Sequence, residues 1–281
     1  MALIALLIVS LLAGFLVVLA ASRLPRSGLQ AQTPHVEAGA KADPEAATGL
    51  ALTLALLGLV AGGVVLAVLT FVVRGSTGGL GVDRSAASWG HRHGTTFTSD
   101  VLDAITHVGQ PSSIAALAIV LAIVETVRTR NRWIAPFLLI VVAGNGILTT
   151  TIKHLADRVR PTLNPIAETL GPSFPSGHSS WSAAFFAAAA LVLARGRGRQ
   201  ARIALAALAA ALAVMIASTR VLLAVHWLSD VIAGLALGWA WFAVCSIAFG
   251  GRLLRFGATA EVAGVGRAAP EVRRGPREAA R

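Results

Sequence analysis

Three short polar clusters interrupt a chain that is otherwise strongly apolar. Between them they supply lysine, arginine, serine, glycine, histidine and aspartate. These residue types can neutralise an anionic group, hold it against a backbone and attack it. The clusters are Lys153–Pro161, Pro175–His178 and Thr219–Asp230.

The cations and small residues of these clusters predict a phosphate site. Lys153, Arg160 and Arg220 provide three positive charges, which suit a phosphoryl group and the charge that develops on it during transfer. Arginine adds a planar fork that matches phosphate oxygens, whereas lysine acts as a point charge. Ser176 and Gly177 come directly before a predicted helix, whose free N–H groups favour an anion. We therefore expect these five residues to bind phosphate.

The two histidines and Asp230 predict nucleophilic and acid–base chemistry. His226 and Asp230 are four residues apart, so a helix places them on one face. A carboxylate on one imidazole nitrogen fixes the tautomer and leaves the other nitrogen free to attack. A carboxylate at the head of a membrane helix also needs a partner, which His226 provides. His178, if it lies opposite His226, can protonate the leaving oxygen and then activate water.

Composition excludes an ordinary soluble domain. Of 281 residues, 56% are hydrophobic and only 13% are charged. The net charge of +11 would suggest nucleic acid in a soluble protein. Here the arginines lie between and after apolar runs, as membrane topology requires. We therefore expect the lipid bilayer as a partner and no nucleic acid. Cys245 is the single cysteine, so neither a disulfide framework nor a thiolate metal site is expected.

Seven apolar segments approach the roughly 20 residues that a helix needs to cross the hydrocarbon core. The predicted fold class is all-α, a polytopic membrane bundle with six core helices and one extra N-terminal helix. The first segment could be a signal peptide cleaved after Ala20, but it lacks a positive start and arginines follow it, which favours an uncleaved helix. The segments are Ala2–Ser22, Leu50–Val73, Ser112–Val127, Trp133–Ile152, Ser179–Ala194, Ala201–Thr219 and Trp227–Phe249.

The arginines predict the orientation in a bacterial plasma membrane. If all seven helices cross, Arg128–Arg132, Arg195–Arg202 and the tail from Gly251 share one side, which the positive-inside rule makes cytoplasmic. The three polar clusters then lie on the extracytoplasmic side. The polar stretch Arg74–Pro111 shares that side and predicts an amphipathic helix that supports the site.

The chain divides into four predicted regions. Residues 1–22 form the N-terminal helix or signal anchor and 23–49 a linker. Residues 50–250 form the six-helix core and 251–281 a basic disordered cytoplasmic tail. The sequence makes no prediction of the oligomeric state.

The three clusters resemble the signature motifs of the type-2 phosphatidic acid phosphatase superfamily. Those motifs are Lys, six residues, Arg-Pro; then Pro-Ser-Gly-His; then Ser-Arg, five residues, His, three residues, Asp. Thr219 replaces the serine and keeps its hydroxyl. The resemblance implies His226 as nucleophile, His178 as general acid and Asp230 as the group that orients His226. It also implies the five phosphate-binding residues named above, with no metal and no cofactor.

The function implied by this resemblance is hydrolysis of a lipid phosphate or diphosphate through a phosphohistidine intermediate. Undecaprenyl diphosphate is the favoured membrane lipid substrate, with phosphatidate and phosphatidylglycerol phosphate as alternatives. A lipid phosphotransferase with the same site and a catalytically silent scaffold or transporter remain open. A vanadium-dependent haloperoxidase shares the motifs but is soluble, which the apolar segments count against.

The remaining polar and aromatic residues receive simpler interpretations. His154, Asp157 and Arg158 match no motif position and are expected in a solvated loop. The tryptophans at helix ends, Trp227 among them, are expected to anchor the chain at the membrane interface. Three histidines between residues 91 and 107 lack the spacing and the fourth ligand of a metal site.

Overall fold

The computed structural model describes residues 1–23, 44–74, 79–163 and 171–265, with the side chains of 44–54 and 250–265 left aside. Within these ranges the regular structure is entirely helical. The helices are α1 (Ala2–Arg23), α2 (Pro44–Arg74), α3 (Gly81–Arg92), α4 (Thr96–Val108), α5 (Pro111–Thr129), α6 (Ile134–Ala156), α7 (Gly177–Ala194), α8 (Arg199–Leu222) and α9 (Leu228–Val265).

Seven of these helices are long and apolar enough to cross a membrane, namely α1, α2 and α5 to α9. Large apolar side chains point outward along them; Leu57, Ile119 and Ile147 are about 60–68% exposed. Such surfaces are stable against lipid rather than water. The predicted fold class, a polytopic all-α membrane bundle with an extra N-terminal helix, is confirmed.

Helix α7 lies at the centre of the bundle. It packs against α6, α8 and α9, while α1 covers α8 and α2 covers α9. The approach of α7 to α9 is close because Gly238 has no side chain: a Cβ there would meet the Ser180 carbonyl and lie 2.8 Å from Ala183 Cβ. Small residues thus bring two functional helix ends together.

The helix bounds differ from the predicted regions at three places. Helix α2 begins at Pro44, inside the predicted linker, since proline suits a first helical turn. Helix α9 continues to Val265 and overlaps residues 251–265 of the predicted tail. The polar stretch before α5 holds two amphipathic helices, α3 and α4, where one was predicted. Residues 24–43 and 266–281 lie outside the described ranges.

Candidate active site

Helix ends place the functional side chains at one end of the bundle. Lys153 lies in the last turn of α6 and Arg220 in the last turn of α8. After α6 the chain reverses at Asp157, which adopts a left-handed conformation with φ of 40°. A similar turn at Ala224, with φ of 52°, directs the chain from α8 to His226. Both turns bring polar residues back over the helix ends.

The imidazole of His226 lies between a guanidinium and a carboxylate. Its Nε2 is 3.0 Å from Nη1 of Arg160, and its Nδ1 is 3.5 Å from Oδ2 of Asp230. Arginine can only donate, so Nε2 accepts and the proton of the neutral ring is assigned to Nδ1. This tautomer turns the lone pair of Nε2 toward the cationic side chains.

Burial lowers the pKa of His226 well below its ordinary value of 6.5, and the nearby charges of Arg160, Lys153 and Arg220 lower it further. A backbone contact with Ser173 acts in the opposite direction. The imidazole is therefore neutral at pH 7, as a nitrogen nucleophile must be.

Asp230 contacts several groups besides His226. Its Oδ2 accepts the backbone N–H of Trp227 at 3.0 Å, and its Oδ1 accepts from Nη1 of Arg158. Its backbone carbonyl accepts the N–H of Ser176 at 2.9 Å. The start of α9 is thereby joined to the residue that precedes α7.

The predicted phosphate-binding cations are held by carbonyl groups. Lys153 Nζ donates to the Pro172 carbonyl at 2.6 Å. Arg160 donates to the carbonyls of Gly171 at 2.8 Å, Val225 at 2.8 Å and Pro172 at 3.2 Å. Desolvation lowers the pKa of Arg160, while Asp230 raises it. An arginine keeps its charge under such a shift.

Arg220 is buried and only partly satisfied. Its Nη1 donates to Oγ1 of Thr106 on α4 at 3.0 Å. Its Nε is buried and has no hydrogen-bond partner within the described chain. A buried guanidinium with an unmet donor is suited to receive an anion.

The residue before α7 differs from the sequence-based expectation. The N–H of Ser176 is taken by Asp230 and is not available to a phosphate. Its hydroxyl accepts from Ser179 at 3.0 Å and still has a proton to donate. Gly177 opens α7, so the N–H groups of the first turn remain directed out of the helix end.

His178 lines a cavity of about 840 Å³ together with Arg220 and Val225. It also interacts electrostatically with His226 and Arg160. The structure therefore brings all eight predicted site residues to one end of the bundle. The cavity extends under α3 and α4 and carries hydroxyl and carboxylate groups from Thr95, Thr96, Ser99, Asp100, Asp103 and Thr106.

The prediction that Arg158 lies in a solvated loop is wrong. Its side chain is 3% exposed and contacts Asp83 and Asp230. Arg158 and Arg160 are two positions apart in non-helical backbone, where alternate side chains share a side, and this spacing could have identified it. Asp83 is buried as well, which local sequence gave no reason to expect.

Trp227 is buried inside the protein and is not an interfacial anchor. It is 9% exposed, and its ring fills the space where a Cβ on Gly79 would be. Its Nε1 donates to the Val159 carbonyl at 2.8 Å. The Arg158 guanidinium lies 5.7 Å from the ring centroid, within cation–π range.

The fold and the site define a polytopic membrane protein with a buried cationic site at one end of its bundle. Residues 133–253, which contain all three polar clusters, match the PAP2 superfamily. The predicted resemblance to this superfamily is confirmed over these residues.

Relatives with assigned names are bacterial phosphatases. Over 122 residues the chain is 38% identical to a lipid A 1-phosphatase of Rhizobium johnstonii, a match covering 40% of this chain and 46% of the relative. Over 142 residues it is 29% identical to phosphatidylglycerophosphatase B of Bacillus subtilis, covering 50% of this chain and 70% of the relative. The chain thus spans about half the length of the lipid A 1-phosphatases that it matches.

A solved structure shares the architecture. The crystal structure of a transmembrane PAP2-type phosphatidylglycerolphosphate phosphatase from Bacillus subtilis matches with a TM-score of 0.61 and 25% identity. The match covers 98% of that chain and 69% of this one.

Proposed function

We propose that this chain is a membrane lipid phosphatase in which His226 is the nucleophile. The observation that carries the proposal is the buried imidazole of His226, with Nδ1 toward Asp230 and Nε2 toward Arg160. A nucleophile needs a free lone pair, an orienting group behind it and cations where negative charge develops. His226 has the orienting group and the cations, and its Nε2 lone pair becomes free when Nη1 of Arg160 moves to a phosphoryl oxygen.

The reaction then proceeds in two displacements. Nε2 of His226 attacks phosphorus, the bond from phosphorus to the leaving oxygen breaks, and His178, in its protonated form, gives that oxygen a proton. In the second step His178 takes a proton from water, whose oxygen attacks the phosphohistidine. The P–N bond breaks, inorganic phosphate leaves and His226 returns to its neutral form.

Lys153, Arg160, Arg220, the Ser176 hydroxyl and the first-turn N–H groups at Gly177 hold the phosphoryl oxygens. Nη1 of Arg160 must leave Nε2 of His226 before attack, and a phosphoryl oxygen can take that donor instead. Arg220 contributes a buried Nε that has no hydrogen-bond partner within the described residues. These cations neutralise the charge for which other phosphatases use metal ions.

The substrate class is a lipid phosphate or diphosphate. The site lies at the ends of membrane-spanning helices, so a lipid can present its head group while its chains stay in hydrocarbon. Three cations favour a diphosphate such as undecaprenyl diphosphate. The names of the relatives add lipid A 1-phosphate and phosphatidylglycerol phosphate to phosphatidate as alternatives. The cavity beside His178 admits an alcohol as well as water, so phosphotransfer is the second candidate function.

Phosphate release from a panel of these four lipids and a soluble phosphomonoester, with purified protein in liposomes, tests the proposal. We expect turnover of at least one lipid, retained in EDTA, with an acid-labile phosphoenzyme. An added alcohol that becomes phosphorylated at the expense of phosphate release identifies a transferase. A preference for the soluble ester, or loss in EDTA that Mg²⁺ restores, contradicts the proposal.

The proposed site faces the extracytoplasmic side of a bacterial plasma membrane. Support comes from the arginines at the opposite end of the bundle, which the positive-inside rule assigns to the cytoplasm. Cys245 is buried and can be replaced. In that background, a cysteine at exposed Val82 on α3 should react with an impermeant thiol reagent in intact cells, and one at exposed Gly198 should not. The reverse pattern inverts the topology.

A further inference from the structure

A buried chain of three charges lies behind the nucleophile. Arg158 Nη2 donates to Oδ2 of Asp83 at 2.8 Å, and its Nη1 donates to Oδ1 of Asp230. The three side chains are 3%, 2% and 0% exposed. None of the three is one of the predicted phosphate-binding cations. The last of the three charged groups is the Asp230 carboxylate, which faces Nδ1 of His226.

Asp83 joins three separate parts of the molecule. Its Oδ1 accepts the N–H of Ser229 at 2.8 Å. Its Oδ2 accepts from the Ser229 hydroxyl at 2.8 Å, from the N–H of Leu80 at 3.1 Å and from Arg158. This carboxylate therefore caps the starts of α3 and α9 and fixes the loop after α6. A carboxylate with four donors is held in one orientation.

The three side chains alternate in charge, and this alternation sets the net charge beside the imidazole of His226. When Nε2 takes the phosphoryl group, the imidazole becomes positively charged, and the charge of Asp230 stabilises it. Arg158 fixes Asp230 but would also cancel its charge. Asp83 balances Arg158, so the group of three keeps a net charge of −1 beside the imidazole. Both outer residues are needed for that balance.

We propose that Asp83 and Arg158 are positioning residues for the reaction of His226, acting through Asp230. The inference rests on the proposed function, because it concerns the rate at which His226 reacts. A buried ion pair can also serve stability alone. The two roles differ in what they change: positioning through Asp230 lowers kcat, while the phosphate-binding residues that set KM are untouched.

The test compares Asp83→Asn with Asp157→Asn in steady-state kinetics on the best lipid substrate. Asparagine keeps the shape of Asp83 but leaves the charge of Arg158 unbalanced. We expect kcat to fall by about 10- to 100-fold, as when partners that orient a functional imidazole are lost, with KM changed by less than about threefold. Asp157 is exposed and left-handed, a conformation that asparagine tolerates, so Asp157→Asn should match wild type.

A double-mutant cycle separates positioning from stability. If Asp83 acts through Asp230, Asp83→Asn should lower kcat by less than about twofold in an Asp230→Asn background. An equal loss in both backgrounds, or a rise in KM with kcat unchanged, overturns the inference. Arg158→Lys, which keeps the charge but not the two-sided fork, should show the same kcat loss and the same dependence on Asp230.

Failure of this inference is distinct from failure of the proposed function. An active wild type whose Asp83→Asn variant keeps full kcat removes the positioning role alone. A wild type without phosphatase activity, or one whose activity does not need His226, removes the proposed function itself.

Discussion

Arginines at the two ends of the bundle have the same chemistry and opposite environments. At one end Arg158, Arg160 and Arg220 are 5–8% exposed, and backbone carbonyls, carboxylates or hydroxyls accept from several of their N–H groups. Within the described residues, Nε of Arg158 and Nε of Arg220 have no hydrogen-bond partner. At the other end Arg128, Arg130, Arg132, Arg197 and Arg202 are exposed. We call the first group the buried arginines and the second the exposed arginines.

This difference in burial indicates different roles for the two groups of arginines. Exposed arginines that flank membrane spans bias topology through their charge alone, a role that any cation can fill. The buried arginines have lost water, which is favourable only where several acceptors replace it. Such acceptors fix the guanidinium in one orientation. A fixed buried cation beside a neutral imidazole is the arrangement that a phosphoryl group requires.

The largest expected effect comes from removing the group that the buried arginines surround. His226→Ala should lower kcat on a lipid phosphate by about 10³-fold or more, as loss of a nucleophile does elsewhere. His91→Ala is the matched control, because His91 lines the cavity beside His178 but is exposed. Phosphate release by the purified variants is the measurement. Turnover near wild type in His226→Ala would show that His226 is not the nucleophile.

A smaller effect should follow from exchanging one cation for another. Arg160→Lys keeps the charge but loses the fork that reaches the carbonyls of Gly171, Pro172 and Val225. We expect kcat/KM to fall by about 100-fold, which corresponds to the loss of two charge-assisted hydrogen bonds. Arg197→Lys at the other end should leave kcat/KM unchanged. Equal effects of the two substitutions would show that burial does not separate the two groups.

The fold and most of the site could be predicted because they depend on local signals. Apolar length predicts the spans, and three motifs in order predict the eight site residues. The pairing of Asp83 with Arg158 could not be found in this way. They are 75 residues apart in sequence, and their pairing depends on how α3 packs on the start of α9. No periodicity in either segment carries that information.

The Ser176 backbone is a second case in which tertiary structure decides. Its position before a helix predicts a free N–H, and a helix start usually provides one. The start of α9 takes this N–H through the Asp230 carbonyl. Only the close approach of α7 and α9 reveals that the hydroxyl, and not the amide, remains for a ligand.

That close approach can be tested at Gly234. A Cβ there would meet the Ser176 carbonyl and lie 2.9 Å from Ser179 Cβ. We expect Gly234→Ala to separate the starts of α7 and α9, lowering kcat by about tenfold and the free energy of unfolding by about 1–3 kcal/mol. Gly63→Ala, in a helix interior with open space around it, is the control. It should leave kcat unchanged and raise the free energy of unfolding by up to about 1 kcal/mol, because alanine favours a helix over glycine. Thermal unfolding in detergent and phosphate release measure both. A Gly234→Ala protein with unchanged activity would mean that the buried end tolerates looser packing than its contacts indicate.

The smallest expected effect is on the pH dependence of stability, which reports on the environment of His226 at the buried end. The pKa of His226 is well below 6.5 in the folded protein, because burial and the cations Arg160, Lys153 and Arg220 disfavour its protonated form. Below pH 6.5 the unfolded chain therefore binds a proton at this residue that the folded protein does not. By linkage the folded state loses up to about 1.4 kcal/mol per pH unit as the pH falls through that range, until the lowered pKa is reached.

His226→Gln removes this contribution, so its unfolding midpoint in detergent should decrease less between pH 7 and pH 5 than that of wild type. His91→Gln replaces an exposed histidine of the cavity beside His178, and its unfolding midpoint should decrease as much as that of wild type. If His226→Gln and wild type show the same dependence on pH, the imidazole of His226 carries a proton in the folded protein. The neutral nucleophile, which depends on the buried arginines around it, would then be lost from the mechanism.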